Sequence, residues 1–147
     1  MINDKGLEII KRYEGCNLYV YPDPIGIWTI GYGSIYSFDG NRVNRTHRTI
    51  TEGEATGLLL RECRQAEGSI ARLVRVPITS NQRSALISLV YNIGSGNFQA
   101  STMRMKLNRQ DYIGAANEFW KWRRAGGRIL RGLVRRRKSE EMLYVLR

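Results

Sequence analysis

The sequence has few of the residues that build covalently or metal-stabilised scaffolds. Its 147 residues include only two cysteines, Cys16 and Cys63, and one histidine, His47. Two cysteines are too few for a secreted disulfide framework, and their spacing with a single histidine matches no metal site. Because free cysteines are usually buried, we expect two small buried thiols, with a disulfide formed after export as the alternative.

Long apolar runs are also missing. No segment approaches the ~18 consecutive apolar residues that a membrane span needs. Residues 1–5 lead straight into a helical pattern, without the charged and apolar regions of a signal peptide. We therefore expect a chain that is made soluble in the cytoplasm.

Acidic residues are scarce relative to basic ones. The 24 Lys and Arg against 13 Asp and Glu give a net charge of +11, which attracts polyanions by long-range steering. Nucleic acid, acidic cell-wall polymers and an outer-membrane surface are candidate partners, and a merely solubilising surface is the plain alternative. Arg123–Arg147 holds nine basic and two acidic residues, so nine minus two, or +7, of the charge lies there.

The first half of the chain combines one helix, short strands and a second helix. A helical pattern ends at Glu14, and residues 17–46 carry β patterns and an Asp-Gly turn signal, which predict a small antiparallel sheet. Thr51 and Glu54 form a capping-box pattern that opens a long helix over residues 51–74. We expect this helix to connect the sheet to the rest of the chain.

The second half is helical. Residues 79–93 are apolar nearly all round, as in a buried helix. Further helical patterns cover residues 101–107, 112–122 and 133–146, with Gly126-Gly127 as a loop between the last two. Strands early and helices late predict an α+β class.

Two carboxyl groups of opposite character lie close together in the sequence. Glu14 ends the first helix before Gly15, near the negative end of the helix dipole, which favours the protonated carboxyl. Asp23 lies between Pro22 and Pro24 in a turn, where a carboxylate stays hydrated and ionised. Carboxyls with opposed protonation states form the acid–base pair that glycoside hydrolysis needs.

With these residues the chain resembles the phage-type lysozymes, glycoside hydrolase family 24, over essentially its whole length. The motif is Glu14, eight residues, Asp23, five residues, Thr29, within YEG…YPDPIGIWTIGYG. Later segments resemble the central helix of the family, the start of its next helix and its C-terminal half: Asn81–Gly94, Ser101-Thr102, Glu118–Trp122 and Gly132–Glu140.

The resemblance implies a lysozyme-like fold in one domain, residues 1–147. A small β lobe of about residues 15–50 and a larger helical lobe of about 75–147, which includes the N-terminal helix, are joined by the long helix. Two lobes joined in this way imply a cleft between them, with the catalytic stretch on its sheet side.

The same resemblance implies an endolysin that causes host cell lysis. Such a muramidase hydrolyses the β-1,4 bond between N-acetylmuramic acid and N-acetylglucosamine in peptidoglycan, with net inversion. Glu14 would be the general acid, Asp23 the base or an electrostatic stabiliser, and Thr29 the residue that holds the water. No metal or cofactor is expected. The implied substrate contacts in the second lobe are Tyr91, Ser101 and Glu118.

One position departs from the family. After its Gly-Tyr-Gly or Gly-Ile-Gly the family usually has a histidine, whereas this chain has Ser34. In relatives that histidine pairs with a carboxylate from the following helix. We therefore expect a pH-dependent stabilising contact to be lost and the chemistry to be kept.

Two other functions fit parts of the sequence. A lytic transglycosylase would act on the same substrate with one acid/base group and without water. A basic nucleic-acid-binding module would explain the charge, and Trp120 and Trp122 with the following arginines suggest it faintly. We expect no nucleic-acid partner, a monomer, and release through a holin-type pore.

The basic segment Arg123–Arg147 has two interpretations beyond a solvated face. Arg135 or Arg136 could reach Glu14 in the cleft. The remainder could bind anionic envelope polymers or the membrane surface, as an amphipathic basic helix does. Glu140 and Glu141 are each expected to pair with a basic residue one turn earlier.

Overall fold

The computed structural model describes all 147 residues and has an α+β architecture, as predicted. The seven helices are α1 Asp4–Glu14, α2 Glu52–Leu73, α3 Ser80–Ile93, α4 Ser95–Gln99, α5 Thr102–Asn108, α6 Tyr112–Ala116 and α7 Arg131–Val145. The four strands are β1 Asn17–Pro22, β2 Trp28–Gly31, β3 Arg124–Ala125 and β4 Arg128–Ile129. No helix has the length and apolar character needed to cross a bilayer.

The chain divides into two compact units. We call Glu14–Glu62 the sheet unit and Met1–Tyr13 together with Cys63–Arg147 the helical unit. Helix α2 therefore begins in the first unit and ends in the second. The predicted capping box at its start is confirmed, because the Glu54 amide donates to Thr51 Oγ1 and the Thr51 amide donates to Glu54 Oε1, both at 3.1 Å.

The sheet unit is built on an antiparallel pair of strands. β1 pairs with β2, and Tyr21 lies opposite Thr29. The predicted sheet does not extend over residues 34–46, which form only isolated bridges. One reason is that the Arg61 side chain binds the backbone there. It donates hydrogen bonds to the carbonyl oxygens of Tyr36 at 2.8 Å and Ser37 at 2.6 Å. The core of this unit is aliphatic and consists of Ile30, Val43, Ile50, Ala55, Leu58 and Leu59.

The helical unit is organised around α3. Its residues Ser84–Val90 are all buried, which confirms the predicted central helix, and it packs against α7. Its start has a capping box of Thr79 with Gln82. Helix α1 approaches α3 at Gly6, where a Cβ would lie 2.7 Å from that of Ser84. A side chain at this position would therefore push the two helices apart.

One local prediction for the helical unit was wrong, and two short elements of this unit were not predicted from the sequence. Residues 112–122 form the short α6 and a separate 3-10 turn at Phe119–Lys121 instead of one helix. Directly after α3, residues 95–99 fold into the short α4, which the sequence pattern did not indicate. The predicted loop at Gly126-Gly127 is confirmed, and it is the tight turn of the β3–β4 hairpin, with φ angles of 58° and 77° that favour glycine. The two strands of this hairpin were not predicted.

The two cysteines differ, and the expectation of two buried thiols was wrong for one of them. Neither forms a disulfide, Cys63 is buried, and Cys16 is exposed. Cys16 lies between the last residue of α1 and the first of β1, where no helix or strand face covers it.

Ionic groups form a buried cluster between α3 and α7. Arg136 Nε lies 3.3 Å and Arg137 Nε 2.6 Å from the two carboxylate oxygens of Glu140. Ser88 Oγ donates to the same carboxylate at 2.5 Å, and Arg137 also donates to Asn92 Oδ1 at 2.8 Å. The predicted pairing of Glu140 is confirmed. Two arginines of the basic segment are thereby withdrawn from the surface.

Candidate active site

Asp23 is fixed by the turn between β1 and β2. Its Oδ1 accepts hydrogen bonds from the amides of Ile25 at 3.0 Å and Ile27 at 2.8 Å. Its own amide donates to the Ile27 carbonyl at 2.8 Å, and Gly26, with a φ of 88°, closes the turn. The second oxygen, Oδ2, makes no protein hydrogen bond. Asp23 therefore has one oxygen that positions it and one that is open to a ligand.

Thr29 lies on β2, buried to 4% exposure. Its Oγ1 donates to the carbonyl of Ile27 at 2.9 Å. Because this bond uses the hydroxyl proton, the remaining lone pairs of Oγ1 can only accept. Thr29 can therefore accept a hydrogen bond from a water molecule. It cannot donate one to the water without breaking its hydrogen bond to the Ile27 carbonyl.

Glu14 is the last residue of α1 and is half-buried. Gly15 follows with a φ of 69°, which confirms the predicted left-handed cap. The Glu14 carboxylate lies against Gly33, where a Cβ would be 3.4 Å from Oε2. Gly33 has a φ of 92°, so a larger residue would be strained there, and its Cβ would contact the carboxylate.

Tyr21 lies near both carboxyl groups. Burial raises the pKa of its hydroxyl above the usual value, and the charges of Glu14 and then Asp23 raise it further. Since both charges raise the pKa of this one hydroxyl, both carboxyl groups lie near it. Tyr21 is also the cross-strand partner of Thr29. Tyr21 thus lies opposite Thr29 and near both predicted catalytic carboxyl groups.

Tyr21 and Ile27 belong to the candidate site by their contacts, although the sequence motif did not single them out. No sequence signal separates Tyr21 from Tyr19: two residues apart on a regular strand they would share a face, yet Tyr19 is exposed and Tyr21 is half-buried. Ile27 acts through its backbone, so its side chain carries no signal.

Two of the three predicted substrate contacts line one cavity of the helical unit. This cavity, of about 260 Å³, is lined by Ser101 and Glu118 together with Lys121 and Trp122, among others. Tyr91, half-buried on α3, does not line it. Lys121 and Trp122 also line this cavity without having been indicated by the sequence, although both follow Glu118 within four residues.

The polar groups of this cavity are held by the protein. Glu118 is buried to 3% exposure and forms ion pairs with Lys106, at 2.8 Å, and Lys121. Burial disfavours its charged form, but the hydrogen bonds from the two lysines outweigh burial and lower its pKa. Ser101 Oγ accepts from the Arg104 amide and donates to the Phe98 carbonyl at 2.6 Å, so it caps α5.

Ser34, at the place of the histidine usual in the family, is completely buried, and its hydroxyl has no hydrogen-bond partner. Its backbone pairs with Ile30 through two hydrogen bonds of 2.9 Å. The position therefore keeps its bridge in the sheet unit, while the side chain adds no polar contact.

Comparison with known proteins identifies the family. The family model described as "Phage lysozyme" matches residues 11–140. The chain belongs to this family. It is accordingly a glycoside hydrolase of the lysozyme type, a peptidoglycan-hydrolysing endolysin.

Individual relatives are similar over nearly their whole length. The chain is 41% identical to an endolysin of Acyrthosiphon pisum secondary endosymbiont phage 1, with 97% of each chain covered. It is 40% identical to the endolysin of Salmonella phage P22, covering 98% of this chain and 97% of that one. The crystal structure of a P22 lysozyme mutant superposes with a TM-score of 0.89 at 38% identity, covering 99% of both chains. The predicted lysozyme-like fold is confirmed.

Proposed function

We propose that the protein cleaves the β-1,4 bond between N-acetylmuramic acid and N-acetylglucosamine with Glu14 as general acid and Asp23 as general base. The observation that carries this proposal is the set of hydrogen bonds through Ile27 that fixes Asp23 and Thr29 together, beside Tyr21, whose pKa the charges of Glu14 and Asp23 both raise. Two carboxyl groups in one neighbourhood are what the hydrolysis of a glycosidic bond requires.

The attacking water is proposed to lie between Thr29 and Asp23. It would donate one hydrogen to Thr29 Oγ1, whose own proton is engaged by Ile27. It would donate the other to Asp23 Oδ2, the oxygen without a protein partner. A water held through both hydrogens directs a lone pair away from these residues, toward the sugar. The alternative role of Asp23, as a purely electrostatic stabiliser, makes less use of this arrangement.

The reaction needs one proton donor, Glu14, one proton acceptor, Asp23, and one water molecule. Glu14 gives its proton to the glycosidic oxygen as the bond from this oxygen to C1 of the muramic acid breaks. The water oxygen bonds to C1 from the opposite face and its proton passes to Asp23. The products are a free N-acetylglucosamine hydroxyl and a muramic acid with a reducing end and an inverted C1. Transfer of the proton from Asp23 to Glu14 through solvent restores the enzyme.

Sugar binding is proposed at the cavity of Ser101, Glu118, Lys121 and Trp122. A polar rim beside an indole ring suits a sugar, which offers hydroxyl groups at its edge and C–H groups on its face. The ionised Glu118 can accept hydrogen bonds from hydroxyl or acetamido groups. The expectations of a cleft, a monomer and release through a holin-type pore stay predictions.

Digestion of purified peptidoglycan in heavy-oxygen water tests the reaction. Mass spectrometry of the released muropeptides should find a reducing muramic acid that carries one heavy oxygen atom at C1, and NMR of fresh products should find the inverted anomer. A 1,6-anhydro ring without heavy oxygen would indicate a lytic transglycosylase and contradict the proposal.

A further inference from the structure

The β3–β4 hairpin and the start of α7 form a surface with only positive charge. We call residues 123–135 the cationic hairpin surface. It contains five arginines and no acidic residue, and the sequence holds no Asp or Glu from Phe119 to Ser139. Four of these arginines are exposed and one is half-buried: Arg123, Arg124, Arg128, Arg131 and Arg135. The charge of Arg136 and Arg137, by contrast, is buried against Glu140.

Aliphatic side chains are exposed among these arginines. Ile129 is 49% exposed, Leu130 43% and Val134 42%. Leu130 and Val134 lie one helical turn apart, and the Val134 amide donates to the Leu130 carbonyl at 3.0 Å. They therefore share one face of the start of α7. Scattered apolar residues are normal on a surface, but three that are clustered among cations indicate a partner.

The hairpin gives this surface a fixed shape. Gly126 and Gly127 form a two-residue turn, Arg124 lies opposite Ile129, and the Leu130 amide donates to the Arg123 carbonyl at 3.1 Å. Directly opposite residues project on the same side of a two-stranded ribbon. Arg124 and Ile129 thus present a charge and an aliphatic group side by side.

An exposed tryptophan adjoins the surface. Trp120 is 49% exposed, and the guanidinium of Arg123 lies 4.7 Å from the centre of its ring. Tryptophan and arginine in this combination are typical of the membrane–water interface, where the ring sits among the headgroups and the cation meets phosphate.

We propose that the cationic hairpin surface binds an anionic lipid bilayer. The arginines contact lipid phosphates, and Ile129, Leu130 and Val134 enter the boundary between headgroups and acyl chains. Charge alone would equally suit an anionic polymer of the cell wall. The exposed aliphatic cluster decides for the bilayer, because a hydrated polymer offers it no apolar environment. This binding is independent of glycosidic cleavage.

Flotation with vesicles of phosphatidylglycerol and phosphatidylethanolamine, compared with pure phosphatidylcholine, tests the proposal. The folded wild-type protein should bind only the anionic vesicles, with an affinity that falls as salt is raised. The double variants Arg124→Gln/Arg128→Gln and Ile129→Asn/Leu130→Asn should each weaken binding about tenfold or more.

Matched controls remove the same groups elsewhere on the helical unit. Arg72→Gln/Arg109→Gln removes two other exposed charges, and Met105→Asn/Ile113→Asn removes two other exposed apolar side chains. Both should bind nearly as the wild type does. Glu14→Gln should also bind fully, which separates membrane binding from catalysis.

Several outcomes would overturn the proposal. Absence of binding to anionic vesicles would do so directly. Full vesicle binding by Ile129→Asn/Leu130→Asn, with loss only in the arginine variant, would indicate a purely electrostatic surface for anionic polymers. If both hairpin variants lost hydrolysis of dissolved peptidoglycan fragments while keeping vesicle binding, the surface would belong to the substrate site.

Discussion

Asp23 and Thr29 are joined through a single backbone residue, Ile27. The Ile27 carbonyl accepts the amide of Asp23 at 2.8 Å and the hydroxyl of Thr29 at 2.9 Å, while the Ile27 amide donates to Asp23 Oδ1 at 2.8 Å. A carboxylate on a turn and a hydroxyl on a strand are thereby held in one frame. Preorganisation of this kind places a water without the need to move a side chain during the reaction.

Asp23→Asn removes the proposed base but keeps the hydrogen bonds that fix the turn. The amide oxygen of asparagine can still accept the hydrogen bonds from Ile25 and Ile27, so the turn should persist, but an amide cannot take a proton from water. We expect turnover on purified peptidoglycan to fall by about two to four orders of magnitude. The thermal unfolding temperature should stay near that of the wild type. A loss below about tenfold would reduce Asp23 to an electrostatic role.

Thr29→Val removes the hydroxyl and keeps the shape of the side chain. The Ile27 carbonyl would retain its bond from the Asp23 amide, so the fold should lose only about 1 kcal/mol, the usual net worth of one hydrogen bond. Hydrolysis should fall about tenfold or more, because the water loses one of its two acceptors. Thr29→Ser, which restores the hydroxyl, should recover most of the rate. Equal activities of the valine and serine variants would exclude a water held by this hydroxyl.

The sequence predicted the catalytic carboxyl groups because their chemistry depends on residue type and spacing. Glu14 at a helix end and Asp23 between two prolines both lie where the pattern places them. The frame that fixes Asp23 could not be predicted in this way, because Ile27 contributes only backbone groups that any residue possesses. Tyr21 was missed for a related reason: Thr29 lies opposite it only when β1 and β2 pair.

Burial also separated residues that the sequence grouped together. Arg135, Arg136 and Arg137 are consecutive in the basic segment, yet only Arg135 is exposed. Helical spacing can place two of three neighbouring residues on the buried face, but it does not show that a carboxylate lies there to pair with them. The buried partner, Glu140, explains why these two cations contribute to the core and not to the surface.

Glu140→Gln should destabilise the helical unit strongly. It would leave two arginines, both 3% exposed or less, without a counter-charge. Breaking a buried ionic arrangement in this way typically costs about 3–5 kcal/mol. Urea unfolding measures this change, and Glu141→Gln on the adjacent, half-buried position is the matched control. A cost below about 1 kcal/mol would mean that solvent reaches the cluster.

Acid should weaken the start of α2 through Glu54. The hydrogen bonds from Arg48 lower its pKa from 4.5 to about 2, so the folded state favours the carboxylate. The stabilisation is complete above about pH 4.5 and is lost as the pH falls toward 2. Glu54→Gln, which can still accept the Thr51 amide, should show a smaller fall in unfolding free energy over this range. Identical pH profiles for the two proteins would contradict this assignment.

Glu14→Gln on purified peptidoglycan tests the central claim most directly. Glutamine matches the size of glutamate and leaves α1 its capped end, so circular dichroism and thermal unfolding should match the wild type. Since an amide cannot protonate the glycosidic oxygen, muropeptide release measured by mass spectrometry should fall by at least about two orders of magnitude. Near-wild-type release by the folded Glu14→Gln protein would contradict the assignment of Glu14 as the acid.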